Sequence, residues 1–269
     1  MNELVHTVTA RAPARLLFDL VADVVQAPQY FPTHLHAWIV RTESPERDLV
    51  ERWVIDNGSV RGWRLFRTRD TEKLVIAFQH ETPKAPLSFM RGEWRFEETA
   101  DGGTLITVAH RFDLVGGAPE AAAAKAAGML DANVPKQLAG IAALAGRIDA
   151  LRAATTDSVR HVRVAAPAGE VVASATALVG DDESYARVRP EEGRLVFKQH
   201  AGLAPGLHSS TGAFEFLQED GGVTVRLSRS VTLAPQAGGE GVEASRRLDA
   251  ESRDWLDRLA ALGEPAAAG

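Results

Sequence analysis

Arg67, in the stretch VRGWRLFRT, is the residue whose type and spacing most need a chemical explanation. Read as a strand, that stretch alternates so that Arg67 shares a face with Trp63 and Leu65. In LSFMRGEWRF, Trp94 shares a face with Met90, Gly92 and Phe96. If the two tryptophan faces turn inward, a guanidinium stands among aromatic walls. Its five N–H donors and permanent charge could hold a ketone oxygen or an enolate as charge develops. No acidic residue shares its face on its own strand. The alternatives are an arginine paired with a core carboxylate or one turned outward.

His34 and His80 are the candidate proton carriers, because an ordinary imidazole titrates near pH 6.5. A lone histidine is more often structural, and the apparent repeat partner of His80, His200, argues that way for it. Trp63, Trp94, Phe89, Met90 and Trp53 are candidate substrate-binding residues, a wall that would curl a flexible substrate and exclude water. Core packing accounts for each of them equally well. Asn133 could hydrogen-bond a substrate or cap local backbone, and Arg91, on the opposite face from Trp94, suits a rim. The other histidines lack metal-site spacing, and HLH at 34–36 has no third ligand. Neither a metal nor another cofactor is expected.

Composition narrows the classes further. The 269 residues exceed a usual single domain, and 45% of them are hydrophobic, enough for one or two cores. Cysteine is absent, so no disulfide framework or thiolate site can form. Against 30 Lys+Arg stand 36 Asp+Glu, a charge of -6 that disfavours nucleic acid as a partner. The amino-terminal stretch does not read as a signal peptide, and no apolar run approaches a membrane span. A cytoplasmic protein handling a small molecule or a protein partner is expected.

The chain also repeats itself. HTVTARAPARLLFDLVADV from His6 has the pattern of RHVRVAAPAGEVVASATALV from Arg160, and KLVIAFQHETPKAPLSFMRGEWRF from Lys73 matches RLVFKQHAGLAPGLHSSTGAFEF from Arg194. Gln79-His80 aligns with Gln199-His200, Gly92 with Gly212 and Trp94 with Phe214, and both copies carry an Asp-Gly-Gly turn. The offset falls from 154 at Pro13 and Pro167 to 120 at His80 and His200, so 34 residues are missing from the second copy. That is two to three strands. The missing stretch is the one that, in the first copy, contains the strand of Arg67.

Stepping outward from those residues, the elements that must hold them follow from periodicity. The first copy predicts a strand over 3–10, a helix from Pro13 to about Val25, six strands between 35 and 112 and a long helix to about Ala153. Asp56-Asn57-Gly58 and Asp101-Gly102-Gly103 are hairpin turns. Pro135 should kink the long helix, and residues 154–158 read as a linker. The predicted domains are therefore 1–155 and 156–269, the second ending in a helix from about Glu240 to Leu262. The fold class is α+β: two tandem units, each a curved antiparallel sheet around a long C-terminal helix, the second truncated.

The strand WRLFR, the block FQHETPKAPLSFMRGEWRFEE with its Asp-Gly-Gly hairpin, and LDAN in the long helix resemble bacterial type II polyketide aromatase/cyclases of the START-like (Bet v 1-like) helix-grip superfamily. The tandem copy resembles the di-domain members. The resemblance implies an enzyme that cyclises and aromatises the first ring of a poly-β-ketone carried by an acyl carrier protein. It also implies association with a minimal polyketide synthase and a ketoreductase, and closure between carbon-7 and carbon-12 of a reduced chain. It puts Arg67 at a functional arginine, Trp63 at a neighbouring aromatic and His34 at a tyrosine position. The rival expectations are a non-catalytic carrier of hydrophobic ligands in the same cavity and a binding module of the same superfamily.

Overall fold

The computed structural model of the chain describes residues 1–56, 58–180 and 184–263. They form two compact units. The first comprises Met1–Ala27, Ala37–Trp53 and Arg61–Ile148, and the second comprises Pro28–His36, Val54–Val60 and Asp149–Gly269. Two short segments of the amino-terminal half thus belong to the second unit, a division that no composition shift announces.

The first half builds β1 (Asn2–Ala10), α1 (Ala14–Ala22), α2 (Ala27–Tyr30), β2 (His34–Thr42), β3 (Arg47–Asp56), β4 (Ser59–Asp70), β5 (Val75–His80), β6 (Leu87–Glu98), β7 (Thr104–Leu114), α3 (Glu120–Ala145) and α4 (Ile148–Ala153). The six expected strands form a meander, and β1 adds to its far end beside β7, giving the order β1-β7-β6-β5-β4-β3-β2. Asn57 of the expected Asp56-Asn57-Gly58 turn lies outside the described residues. In the other turn Gly102 takes φ +80, a conformation that an L side chain resists. Helix α1 ends at Ala22, short of Val25. Its Leu17, Phe18 and Leu20 are buried, the apolar stripe of an amphipathic helix. Helix α3 lays Val134, Leu138 and Ile141 inward at helical spacing and continues through Pro135. The chain breaks at Gly146 and Arg147 rather than running on to Ala153.

The second half builds β8 (Thr155–Val164), α5 (Ala168–Leu178), β9 (Tyr185–Val188), β10 (Arg194–Gln199), β11 (Leu207–Glu219), β12 (Gly222–Leu233) and α6 (Gly238–Ala260). Their sheet runs β8-β12-β11-β10-β9. Its core gathers Val171, Phe197, Phe214, Val225, Trp255 and Leu259.

Three expectations need correction. Residues 154–158 are not a linker: β8 starts at Thr155, because Thr155, Thr156 and Asp157 pair with Thr232, Val231 and Ser230 of β12. The second copy has lost two strands, and the one matching β4 survives as β9. Arg187 on it faces Phe197 in register, just as Arg67 faces Phe78. Among the described residues β9 ends the sheet, and Arg187 instead donates to the carbonyl of Gly180. The alignment of Gln79-His80 with Gln199-His200 is one residue out. Gly92 pairs with Phe78 and Gly212 with Phe197, so Gln79 corresponds to Lys198 and His80 to Gln199. The connection after β10 is one residue longer than that after β5, which moved the sequence match off the structural register.

Gly92 and Gly212 are kept small by their registered partners. A Cβ on Gly92 would sit 2.3 Å from the Phe78 ring and 2.5 Å from the Ala109 carbonyl. Since the carbonyl belongs to a paired strand and cannot swing aside, Gly92→Ala should destabilise the chain by about 1–3 kcal/mol. Urea titration followed by tryptophan fluorescence would measure this as a lower midpoint with an unchanged slope.

Candidate active site

The site is built on the sheet face toward which the apolar alternation points. Leu65, Arg67, Ile76, Phe78, Trp94, Val108, His110 and Phe112 share it, as the cross-strand pairs Arg67 with Phe78, Phe78 with Gly92, and Gly92 with His110 establish. These four residues form one row across β4, β5, β6 and β7. At ordinary strand spacing the row spans roughly 14 Å. Phe78 meets the His110 ring edge-on at 5.5 Å, and Gly92 leaves the gap that the Phe78 ring enters.

At one end of the row Arg67 is 4% exposed. Its Nε and Nη2 donate to the two carboxylate oxygens of Asp48 at 2.9 and 2.8 Å, and its Nη1 donates to the carbonyl of Ala22 at 2.9 Å. That carbonyl ends α1, where the helix dipole is negative. Asp48 is fully buried and also pairs with Arg69 at 3.3 Å. Of the alternatives, pairing with a core carboxylate is the one realised: the carboxylate comes from β3, a neighbouring strand that face-by-face reading of β4 does not see. These bonds engage three of the five guanidinium N–H groups.

Arg52 is the functional candidate that the sequence reading missed. Alternation along DLVERWVID places it with Asp48 and Val50, on the face of Arg67. Burial, and then the charge of Arg67, pull its guanidinium down to about 10. Its positive charge is therefore disfavoured where it sits, and an anionic oxygen arriving there would be stabilised.

His80 lies on the same face, stacked on Trp63 with ring centroids 6.2 Å apart. Burial, then the charge of Arg52, lowers its imidazole to about 4. His110, also missed although TLITVAHRF alternates it with Ile106 and Val108, is likewise lowered to about 4, first by burial and then by His6 and His80. Its buried Nδ1 has no hydrogen-bond partner among the described residues. Both imidazoles are neutral at pH 7 and can accept a proton. His6 next to this row bonds Asp131 of α3 at 2.9 Å.

The remaining expected residues divide. Trp63, Met90 and Trp94 face inward, Trp94 buried and stacked on Phe96 at 6.5 Å. Trp53 does not join them. It lies on the outer face, where its indole covers the backbone of Gly62. Phe89 is also on the outer face, opposite Asp113 and under Arg91 at 5.8 Å, after a register shift between Leu87 and Phe89. Period two turns both away once the register is known, so neither belongs to the wall. Asn133 is exposed on α3, adjacent to buried Val134. His34 belongs to the second unit, buried and leaning on Phe31 at 5.0 Å. A depression of about 640 Å³ on the outer face is lined by Arg47, Arg95 and Arg111, but these pair with Glu43, Glu93 and Glu3. Such self-neutralised charge suits a solvated surface.

The family described as "Polyketide cyclase / dehydrase and lipid transport" matches residues 1–146. The chain is 38% identical over 141 residues to the granaticin polyketide synthase bifunctional cyclase/dehydratase of Streptomyces violaceoruber, covering 52% of this chain and 43% of that one. It is 35% identical over 146 residues to the actinorhodin counterpart of Streptomyces coelicolor, covering 54% and 45%. The chain thus spans under half the length of these curated relatives. In fold it is similar to the di-domain ARO/CYC BexL from the BE-7585A biosynthetic pathway, at TM-score 0.72 and 22% identity over 99% of this chain and 100% of that one. The di-domain ARO/CYC StfQ from the steffimycin pathway gives 0.70 and 23% over 97% and 98%. Among the described residues no helix is long and apolar enough to cross a membrane.

Two outcomes follow from the site's electrostatics. Asp48→Ala leaves the buried Arg67 charge without its carboxylate and should cost about 3–5 kcal/mol in chemical denaturation. His110 titrates at about 4 when folded and near 6.5 when unfolded, so the unfolded chain binds more protons between those values. Stability conferred by the neutral imidazole is complete above about pH 6.5 and is lost as pH falls toward 4. His110→Gln should therefore flatten the fall in melting temperature between pH 7 and 4.5, as read by calorimetry.

Proposed function

Because the chain belongs to the polyketide cyclase/dehydrase and lipid-transport family, we propose that it is an aromatase/cyclase acting on a poly-β-ketone borne by an acyl carrier protein. The reaction is closure of the first ring, carbon-7 to carbon-12 in a reduced chain, followed by dehydration. The observation that carries this reading is the pair of inner-face guanidiniums. Arg67, held by Asp48, and Arg52 present N–H donors on one sheet face, an arrangement that favours the oxyanion an aldol step generates.

In this mechanism a ketone oxygen accepts N–H bonds from Arg67 and Arg52. A base removes a proton from the methylene between two carbonyls, and the resulting carbanion forms the new C–C bond to the polarised carbonyl carbon. The alkoxide takes up a proton, and loss of hydroxide with a neighbouring proton releases water and leaves the conjugated ring. His80 and His110, neutral at pH 7, are acceptors on the same sheet face, and His34 or a water is a further proton carrier. Trp63, Met90 and Trp94 give the apolar wall that holds one curl of the chain. The relatives' description as bifunctional cyclase/dehydratases of polyketide synthases supports both halves of the reaction.

Deleting Arg67 alone would orphan Asp48, so the informative change replaces the pair together. Arg67→Met with Asp48→Leu keeps comparable volume without a buried lone charge, and such replacements are often neutral for stability. In reaction with a minimal synthase and ketoreductase, this double variant and Arg52→Gln are each expected to lower the yield of correctly closed ring by about 100-fold, the usual cost of an oxyanion donor. Folded variants with unchanged yield and ring position would favour a carrier that binds the chain without reacting it.

A further inference from the structure

The second sheet carries a buried lysine that the mechanism above leaves unused. Lys198 on β10 is 3% exposed. Its register equivalent in the first sheet is Gln79, which is exposed. All three N–H donors of an ammonium are accounted for: Nζ lies 2.7 Å from the carbonyl oxygen of Pro28, 2.7 Å from that of Phe31 and 2.9 Å from that of His34. Burial by itself pulls the ammonium down to about 7, and three carbonyl dipoles pointing at one nitrogen act against that pull.

The same face of that sheet holds the same segment by other bonds. Gln29 donates to the hydroxyl of Thr211, Ser209 donates to the Pro28 carbonyl at 3.3 Å, and His208 bonds the Tyr30 carbonyl at 3.2 Å. Lys198 is the one of these groups that reaches three residues of the segment. Two of its acceptors are the carbonyls of Phe31 and His34, whose rings rest on each other. Fixing both carbonyls fixes the backbone from which that ring pair projects. His34 is also the first residue of β2, the edge strand of the seven-stranded sheet.

We infer that Lys198 is a positioning residue for His34: its ammonium clamps the Pro28–His34 backbone and through it sets the His34 side chain. This inference rests on the proton-carrying role proposed for His34. It also gives a physical reason for keeping a truncated repeat, whose β10 supplies a cation that the first copy's β5 does not.

The test uses the full chain and Lys198→Met, which keeps length and loses every donor. Amide hydrogen exchange over residues 28–36 should accelerate at least about tenfold, while amides of the second core around Phe214 and Val225 keep their protection. With the minimal synthase, kcat for ring closure should fall about tenfold with KM within twofold. His34→Ala combined with Lys198→Met should be no worse than His34→Ala alone, because the lysine acts through the histidine. Lys198→Arg, which restores donors, should recover part of the lost rate, and it carries the same comparison if the methionine variant does not fold. Unchanged exchange at 28–36, loosening spread evenly over the chain, or additive losses in the double variant would each overturn the inference. A silent His34→Ala would remove the histidine's role, while the exchange result would still decide whether Lys198 clamps the segment.

Discussion

The buried bond between Asp48 and Arg67 is the constraint on which the first unit depends. Two charges removed from water are tolerable only with close geometry and with their remaining donors and acceptors met. Here the fork of Arg67 takes both oxygens of a fully buried carboxylate and spends a third N–H on the carbonyl that ends α1. One interaction thus ties β3, β4 and α1 together. It also orients a guanidinium on the inner face, because the carboxylate holds one edge of the fork, and among the described residues three of its five N–H groups are engaged. The neighbouring Arg52 is lowered first by its own burial and then by the charge of Arg67. Structure and proposed chemistry share a cause: a cation held rigidly enough to survive burial is also preorganised for a developing oxyanion.

The two copies show how one scaffold fills its inner face in two ways. The row Arg67, Phe78, Gly92, His110 of the first sheet has its register counterpart in Arg187, Phe197, Gly212, Arg229 of the second. The change from His110 to Arg229 alters the interior. Arg229 bonds the Leu248 carbonyl, Glu251, Ser252 and the Tyr185 hydroxyl, and its guanidinium lies 4.9 Å from the centre of the Trp255 ring. Each polar contact ties the inner face to α6 or β9 and fills space with committed groups. Among the described residues the equivalent imidazole keeps its buried Nδ1 without a hydrogen-bond partner, as Arg229 does its Nε.

Much of the architecture could be read from periodicity and self-similarity. The period-two runs between 35 and 112 gave six strands, the helical runs gave the flanking helices, and the repeat gave a second sheet of the same kind. Trp63, Arg67 and Trp94 were placed on one face by counting alone. The missed pairing has a physical origin. Alternation orders side chains within a strand and is blind to the strand beside it, so Asp48 was not seen facing Arg67. Trp53 also turns away from the wall it was expected to join, and Phe89 does so in keeping with the alternation of its own strand, which sets it opposite Met90 and Trp94. A single extra residue after β10 hid the correspondence of Lys198 with Gln79, because similarity of residue type was followed where hydrogen-bond register decides.

From its order of residues alone the chain determined its elements, its duplication and its inner faces, since local periodicity and turn chemistry act between near neighbours. Tertiary structure alone decided which charge meets which: that Arg67 is shared with Asp48, that Arg52 and His110 stand on the same face, and that Lys198 grips three carbonyls more than 160 residues away. Electrostatic energies depend on distance and burial, and neither is encoded in sequence separation.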